Sequence, residues 1–260
     1  MRALLITLVT LTASALQAGS FGSDCQEFAE RSAVQSAKGV TRVVIIDRAG
    51  FLHVEGRAGA TEIRATGHAC APIEELLVGI RLSASRSGSQ VTIEAEVPKQ
   101  GDSFFASAPR LDFTVTVPAG IAVDIADTSG ELTIHDTGNT RVAVTSGNMN
   151  IRNVNGSLTV RATSGAIDID GVTGDVHIPS YPSGAVKIAR VGGSVTIDRH
   201  GSGSIEVHNV KRNLVITADG PGPVAVSDIG GDFTLGAKGG GSVDYKRVTG
   251  RVMVPRRYRR

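Results

Sequence analysis

The chain has 260 residues, of which 41% are hydrophobic and only 4% aromatic, and its formal net charge is +2. A charge this close to zero excludes a polyelectrolyte, so we expect no nucleic-acid partner. Tryptophan is absent and glycine is abundant, with 32 residues, as a fold with many tight turns requires.

Residues 1–18 have the pattern of a secretory signal peptide. Met1 and Arg2 precede an apolar run from Leu4 to Leu16, which is too short to cross a bilayer comfortably. The small residues nearby favour cleavage after Ala15 or Ala18, and the alternative is an uncleaved anchor. We therefore expect export to the periplasm or the outer surface of a bacterial cell, with no transmembrane segment after processing.

Residues 19–39 form a separate N-terminal segment with a candidate short helix at 25–37. Cys25 and Cys70 are the only cysteines, and an exported chain meets an oxidising environment. We expect one disulfide that holds this segment down, worth at most ~4 kcal/mol in the chain-entropy model. A metal or redox role would require CxxC spacing or a cluster of histidines.

Residues 40–120 are predicted to form an irregular β region that caps the regular β-solenoid of residues 121–255. Gly50 begins a corner-and-strand pattern in which Gly59 and Ile63 follow nine and thirteen residues later. Two strand candidates, 77–85 and 90–97, flank a Ser-Gly turn and indicate a hairpin. Residues 99–107 are polar and indicate a loop, and 111–117 alternate strictly, as a half-buried strand does.

Residues 121–255 contain seven copies of one short sequence repeat. Each copy begins at a corner glycine, and the last five glycines are 19 residues apart. The corner glycines are Gly130, Gly147, Gly165, Gly184, Gly203, Gly222 and Gly241. Position n below is the nth residue after this glycine. Positions two, four, seven, eleven and thirteen are apolar in all six complete copies, which makes 30 residues.

This periodicity predicts a parallel β-solenoid of about seven regular coils. Positions two and four, like eleven and thirteen, alternate with polar residues, as in short half-buried strands. A period near 20 with one buried stripe per copy is typical of stacked coils about 4.8 Å apart. Right-handed winding is expected because parallel crossover connections favour it.

The stretch from Leu111 to Gly120, continued through Val123–Gly130 to Ile134, resembles the bacterial putative-adhesin family of exported β-strand-repeat proteins of uncharacterised function. The resemblance covers roughly residues 40–254. It implies a location in the cell envelope and a parallel β-solenoid. It implies no catalytic residue.

Outward columns of the predicted solenoid carry alternating charges that favour a structural role. Asp168 stacks over Lys187 and then Glu206, and Arg152 lies beside Asp170, so opposite charges meet at strand spacing. A cationic neighbour lowers the pKa of a carboxylate, which is unsuitable for a general acid. The histidines are dispersed among coils, so we expect no catalytic residue, metal site or cofactor.

The last ten residues contain five arginines and no acid. These are Arg251, Arg256, Arg257, Arg259 and Arg260, and residues 256–260 form a basic tail. Pro255 and the charges could guard the edge of the last coil against another chain. The same charges could also attach the protein to an anionic envelope polymer or lipid surface, and the two roles are compatible.

The sequence as a whole predicts a non-enzymatic exported β-solenoid that acts as a structural or adhesion module of the cell envelope. Two alternatives remain: a polysaccharide-active β-helix enzyme, and an envelope scaffold that assembles by end-to-end stacking of coils. The oligomeric state is left open.

Overall fold

Each repeat of the sequence forms one coil with two strands, in a computed structural model that describes residues 25–98 and 108–258. The strand that begins at position two lies in sheet A, which has 11 strands. The strand that begins at position eleven lies in sheet B, which has 12 strands, one of them outside the main strand order. The predicted parallel β-solenoid of about seven regular coils is therefore confirmed. Among the described residues, no helix is long and apolar enough to span a bilayer.

The N-terminal region supplies strands to both sheets before the regular coils begin. Its elements are β1 (Glu27–Ser36), β2 (Arg42–Ile46), β3 (Leu52–Arg57), β4 (Glu62–Ala71), α1 (Glu74–Gly79), β5 (Arg81–Ser87), β6 (Gln90–Glu96), β7 (Arg110–Pro118) and β8 (Ala122–Ser129). Strands β2 and β3 pair in parallel with β8 and with the first regular coil, so the solenoid geometry is present from residue 42.

The regular coils alternate between the two sheets. In sheet A they contribute β9 (Leu132–His135), β11 (Met149–Val154), β13 (Ile167–Val172), β16 (Val186–Val191), β18 (Ile205–Val210), β20 (Val224–Ile229) and β22 (Val243–Val248). In sheet B they contribute β10 (Thr140–Ser146), β12 (Leu158–Ser164), β14 (Val176–Ile178) with β15 (Tyr181–Ser183), β17 (Val195–Ser202), β19 (Leu214–Asp219), β21 (Phe233–Lys238) and β23 (Val252–Met253). A 3₁₀ turn, Arg256–Tyr258, follows.

The core is the space between the two sheets, and the five apolar positions fill it. Of the 30 residues predicted to face inward, 27 are buried. The three others, Tyr245, Val248 and Val252, all belong to the last coil. Residues at the same position of neighbouring coils lie side by side, for example Ile169 beside Ile188. Each apolar position therefore forms a buried column that runs along the solenoid.

Two expectations about the N-terminal region are wrong, and a third is wrong in part. Residues 25–37 do not form a helix, because β1 pairs antiparallel with β4; Ala29 and Ala33 pack against the core, whereas Phe28 and Val34 are exposed. The coil that begins at Gly50 does not continue into sheet B. Strand β4, with Ile63, turns back and lies antiparallel to β7 in sheet A. Part of the predicted strand 77–85 is the helix α1, whereas the hairpin of β5 and β6 forms as expected.

The predicted disulfide joins Cys25 to Cys70, with 5.8 Å between their Cα atoms. It fixes the beginning of the described chain to β4, next to the antiparallel pairing of β1. The expected signal peptide (1–18), the loop 99–107 and Arg259 and Arg260 lie outside the described residues. The right-handed winding stays a prediction.

The corner glycines are required by close packing between coils. Gly147 has a φ of +133°, and a Cβ there would lie 1.7 Å from the carbonyl oxygen of Gly130 in the coil before it. Gly193, at position nine, has an ordinary φ but is equally constrained, because its Cβ would lie 2.2 Å from Oδ1 of Asp175. Glycine therefore lets consecutive corners stack at strand spacing.

Candidate functional site: a groove along one corner of the solenoid

A long groove follows the corner where each coil leaves sheet A. Its origin is position six, where the backbone is left-handed in all seven coils, with φ between 53° and 80°. These residues are Asp136, Asn153, Gly171, Arg190, Asn209, Asp228 and Arg247. The left-handed residue kinks the strand, so position seven points inward while positions six and eight stand on either side.

The groove has a volume of about 1100 Å³ and extends from Gly120 to Thr249. Its floor is the position-seven ladder, which includes Val172, Val191 and Val210. These floor residues are each at most 2% exposed, because they also belong to the core. The walls add amides, hydroxyls and charges, among them Asn155, Thr173 and Lys211. The groove therefore offers an apolar floor with polar edges over several coils.

Charges on the groove are mostly neutralised between neighbouring coils. Arg190 donates to Asp170 at 2.8 Å, and Arg247 donates to Asp228 at 2.6 Å. Hydrogen bonds from Arg247 and Ser227 lower the pKa of Asp228 to about 2.

Lys211 differs from these paired charges, because within the described part of the chain it makes no ion pair. It lies midway along the groove. The groove therefore has an uncompensated cation near its centre.

The outward face of sheet A has the predicted register but a different pairing of charges. Asp168 lies beside Lys187, as expected. Its hydrogen bonds, however, come diagonally from Arg152, at 2.9 and 2.8 Å. This bidentate contact lowers the pKa of Asp168. The carboxylate is ionised at neutral pH and already paired, which does not suit general acid catalysis.

Of the tail arginines, the structure describes Arg251, Arg256 and Arg257, and Arg251 and Arg257 lie at opposite corners of the last coil. Arg251 lies at position ten, next to the groove corner, where its backbone N–H donates to Asp232 and its side chain is 83% exposed. Arg257 lies at position sixteen, at the opposite corner, where it donates to the carbonyls of Lys238 and Gly239. It also stacks on Tyr258. Arg256 is exposed between them.

A polar column inside the opposite corner was missed by the sequence analysis. It occupies position sixteen, where Tyr181, His200, Asp219 and Lys238 are buried in successive coils. Both ring nitrogens of His200 meet oxygen atoms, Nδ1 at 2.6 Å from Asp219 and Nε2 at 2.9 Å from Gly184. Because these groups are enclosed and hold one another, the column is structural.

The histidines are dispersed, as the sequence indicated, but one pair is close. His53 and His135 have ring centroids 5.5 Å apart, because β3 lies directly beside β9. Burial and the neighbouring His135 lower the pKa of His53. His177 instead pairs with Asp198, at 2.8 Å. In the described ranges no three His, Cys, Asp or Glu side chains form a group that could hold a metal ion.

No protein-family model matches the sequence, and neither does any curated protein. Solved structures of three bacterial proteins named for adhesion are similar to it, as the sequence resemblance predicted. One is a putative adhesin from Bacteroides fragilis, with 14% identity, coverage of 88% of this chain and 97% of that chain, and a TM-score of 0.41. Another is a putative cell adhesion protein from Clostridium sporogenes, with 13% identity, coverage of 85% and 100%, and a TM-score of 0.34. A third is a putative adhesin from Parabacteroides merdae, with 12% identity, coverage of 88% and 97%, and a TM-score of 0.30. With such low identities and TM-scores, function has to be inferred from the geometry.

Proposed function

We propose that this protein is an exported, non-enzymatic module of the bacterial cell envelope with a structural or adhesive role. Its groove binds one extended, anionic polymer of the envelope. The groove is the observation that supports this proposal. It is open and continuous over the regular coils, a shape that suits a linear ligand rather than a small compact one.

Charge favours an anionic ligand. Lys211 lies midway along the groove and is not paired with an acid in the described structure. Arg251 lies just past Thr249, at the end of the groove; its guanidinium is 3.4 Å from the Asp232 carboxylate, but its side chain is 83% exposed. Exposed cations beside an anionic surface contribute about 1 kcal/mol each, and salt screens them within ~10 Å at 0.1 M. We therefore expect weak, salt-sensitive binding.

The state of the outward carboxylates favours binding over catalysis. Asp168 and Asp228 both have lowered pKa values because guanidinium groups hold their charged forms. A glycosidase requires a second carboxyl that stays protonated near neutral pH. Acids paired in this way stabilise the rod instead.

Export is supported by the disulfide and by the N-terminal sequence. A bridge between Cys25 and Cys70 persists in an oxidising compartment. The mature chain should begin after Ala15 or Ala18 and contain no free thiol. Intact-mass measurement of exported protein with a thiol-alkylating reagent tests this, and two alkylated cysteines or retention of Met1 would contradict it.

Binding is tested with the purified mature chain and two probes, soluble lipopolysaccharide and vesicles that contain phosphatidylglycerol. Lys211→Glu and Arg251→Glu should each weaken binding to the polymer several-fold, and binding should fall as salt rises. The matched control is Arg161→Glu, which makes the same charge change on the outward face of sheet B. Equal weakening by the control would show that only net charge matters.

The two probes and an activity assay also separate the alternatives. Binding to vesicles that depends on Arg256 but not on Lys211 would assign attachment to the basic tail and a lipid surface. Depolymerisation of an envelope polysaccharide that is lost in Asp168→Asn or Asp170→Asn would overturn the non-enzymatic assignment.

A further inference from the structure

Two adjacent cations interrupt the sequence repeat on the wall of the groove. Position nine is glycine in five of the six complete copies, and Arg212 is the exception. Position eight is uncharged in the other five copies, and Lys211 is the exception. In the coils on either side, both positions are glycine, at 192–193 and at 230–231. Over three coils, Lys211 and Arg212 therefore have no neighbouring side chains at these positions.

Arg212 occupies a position where the fold otherwise leaves no room for a side chain. At Gly193 a Cβ would lie 2.2 Å from Oδ1 of Asp175, the position-ten residue of the coil before. At Gly231 the obstacle is an asparagine oxygen at the same distance of 2.2 Å. In the coil before Arg212, position ten is Ser194, whose shorter side chain removes this closest contact. The repeat therefore changes at two residues together, and the second change makes room for Arg212.

Neither cation forms an ion pair that would stabilise the rod. Lys211 and Arg212 are both exposed, and within the described ranges no carboxylate lies in salt-bridge distance of either side chain. Other charges of this corner do pair between coils, as Arg190 does with Asp170 at 2.7 Å. Residues that depart from the pattern of a fold without such a compensating contact are typical of functional sites.

The opposite wall of the groove adds a hydrogen-bonding group in the same coil. Asn209, at position six, lines the groove across from Lys211, and Val210 forms the floor between them. The Asn209 side chain is exposed and has no hydrogen-bond partner in the part of the chain that the structure describes. One coil therefore directs donors toward the groove from both of its walls.

The charges beside Asn209 are engaged away from it. Arg190, at position six of the coil before, donates to Asp170 one coil further back. Asp228, at position six of the coil after, accepts from Arg247 one coil further on. The middle of the groove therefore keeps two cations and one neutral amide that a ligand can contact.

We propose that Lys211, Arg212 and Asn209 bind a phosphate monoester on the polymer that occupies the groove. The site depends on the proposed function, because that polymer carries the phosphate. At pH 7 a phosphate monoester has a charge of about −1.5 to −2 and three strong acceptor oxygens, whereas a carboxylate has one charge and two oxygens. Lysine binds phosphate as a point charge, and arginine binds it through a fork of N–H donors. Three separate donor groups therefore suit a phosphate better than a carboxylate.

The place of the site along the groove fits a polymer that continues in both directions. Lys211 lies midway, and the apolar floor extends past it to Val172 on one side and Ile229 on the other. The glycines at positions eight and nine of the adjacent coils leave this wall low, so a unit that carries a phosphate can approach the two cations from the side.

Two forms of one polymer test the phosphate. Soluble lipopolysaccharide is compared before and after a phosphatase removes its phosphate monoesters, a treatment that leaves its carboxylates in place. The wild-type mature chain should bind the untreated form several-fold more tightly. Lys211→Gln/Arg212→Gln should bind both forms with the same, weaker affinity. Arg161→Gln/Arg199→Gln removes the same charge from exposed positions of sheet B and should keep the wild-type difference.

A second variant establishes that the loss does not come from misfolding. Lys211→Gly/Arg212→Gly gives this coil the Gly-Gly sequence of its two neighbours, so it should fold with little change in its denaturant midpoint. It should also lose the preference for the untreated polymer.

The outcomes separate this site from the proposed function. If the wild type binds both forms equally and the Lys211 variants weaken both, the phosphate site is wrong, whereas the groove is still the binding site of an anionic polymer. If neither form binds, the proposed function fails as well. An equal loss in Arg161→Gln/Arg199→Gln would assign the effect to net charge and overturn the site. An equally large loss of binding to phosphatidylglycerol vesicles in the Lys211 variants would assign it to a lipid surface and also overturn the site.

Discussion

The Lys238 ammonium lies 2.9 Å from the Asp219 carboxylate inside the corner of the solenoid, and both side chains are fully buried. Lys238 directs its hydrogens to backbone carbonyls, including Gly220 at 2.8 Å and Gly222 at 2.6 Å. Its contact with Oδ2 of Asp219 is therefore electrostatic rather than a well-aligned hydrogen bond. His200 satisfies the other oxygen of Asp219. Buried charges persist only when they are held in this way.

Lys238→Met should destabilise the protein by about 3–5 kcal/mol, because it leaves the buried charge of Asp219 without its cation. The free energy of unfolding from denaturant titration measures this. Lys187→Met is the matched control, since Lys187 is exposed on sheet A, and it should cost about 0.5 kcal/mol or less. Equal effects of the two changes would mean that the position-sixteen column is not needed for stability.

The position-sixteen column could not be predicted from the sequence pattern. The apolar positions predicted the two sheets and the register between neighbouring coils, because only one arrangement buries all of these valines and isoleucines. His200, Asp219 and Lys238 are polar, so a burial pattern places them outside. Only the stacking of consecutive coils shows that each side chain satisfies the next. The signal was their common 19-residue spacing.

The groove was missed for a similar reason. Position six varies between acidic, basic and amide residues and one glycine, so the repeat of apolar positions does not single it out. Its left-handed backbone had one sequence signal: five of the seven residues are Asn, Asp or Gly, the types that accept positive φ most readily. The N-terminal strand β1 was mistaken for a helix, because its partner β4 is distant in sequence.

Asp47 should make the protein less stable as pH rises. It is 2% exposed, and burial raises its pKa to about 7, with further contributions from the neighbouring charges of Asp127 and Asp112. An unfolded aspartate has a pKa of about 3.9, so between pH 4 and 7 the folded chain holds a proton that the unfolded chain has lost. Stability is therefore fully present below pH 4 and decreases by up to ~4 kcal/mol by pH 7.

Asp47→Asn should remove most of this dependence, because the amide is neutral at every pH and keeps an oxygen for the N–H of Arg48. Denaturant midpoints at pH 5 and pH 8 compare the variant with the wild type, and the variant should gain stability mainly at pH 8. Asp124→Asn is the control, since Asp124 is paired with Arg42 and half-exposed. The assignment is wrong if the wild-type difference between the two pH values survives in Asp47→Asn.

Ile188→Asp should separate the inside of the solenoid from the outside. Ile188 is fully buried in the middle of its ladder, and an unpaired charge there should cost several kcal/mol. Asp168→Asn weakens one partly exposed ion pair with Arg152 and should cost about 1 kcal/mol or less. Denaturant titration of both variants measures the difference. Comparable losses would contradict the inward and outward assignment of the columns.

Gly147→Ala should be among the most damaging single-methyl changes in the chain. Gly147 combines a φ of +133° with a site where a Cβ would lie 1.7 Å from the backbone oxygen of Gly130, and backbone cannot move aside as a flexible side chain can. The two neighbouring corners would have to separate, which disturbs the pairing of both sheets. We expect a loss of several kcal/mol or failure to fold, measured by denaturant titration and circular dichroism.

Gly59→Ala provides the comparison that isolates stacking from backbone strain. Gly59 also has a positive φ, +75°, but a Cβ there meets no atom within 4 Å, because this turn lies outside the stacked corners. The cost should be limited to the left-handed conformation of alanine, about 1–2 kcal/mol. If the two variants lost equal stability, strain alone would explain both, and close approach between coils would not be the reason for the corner glycines.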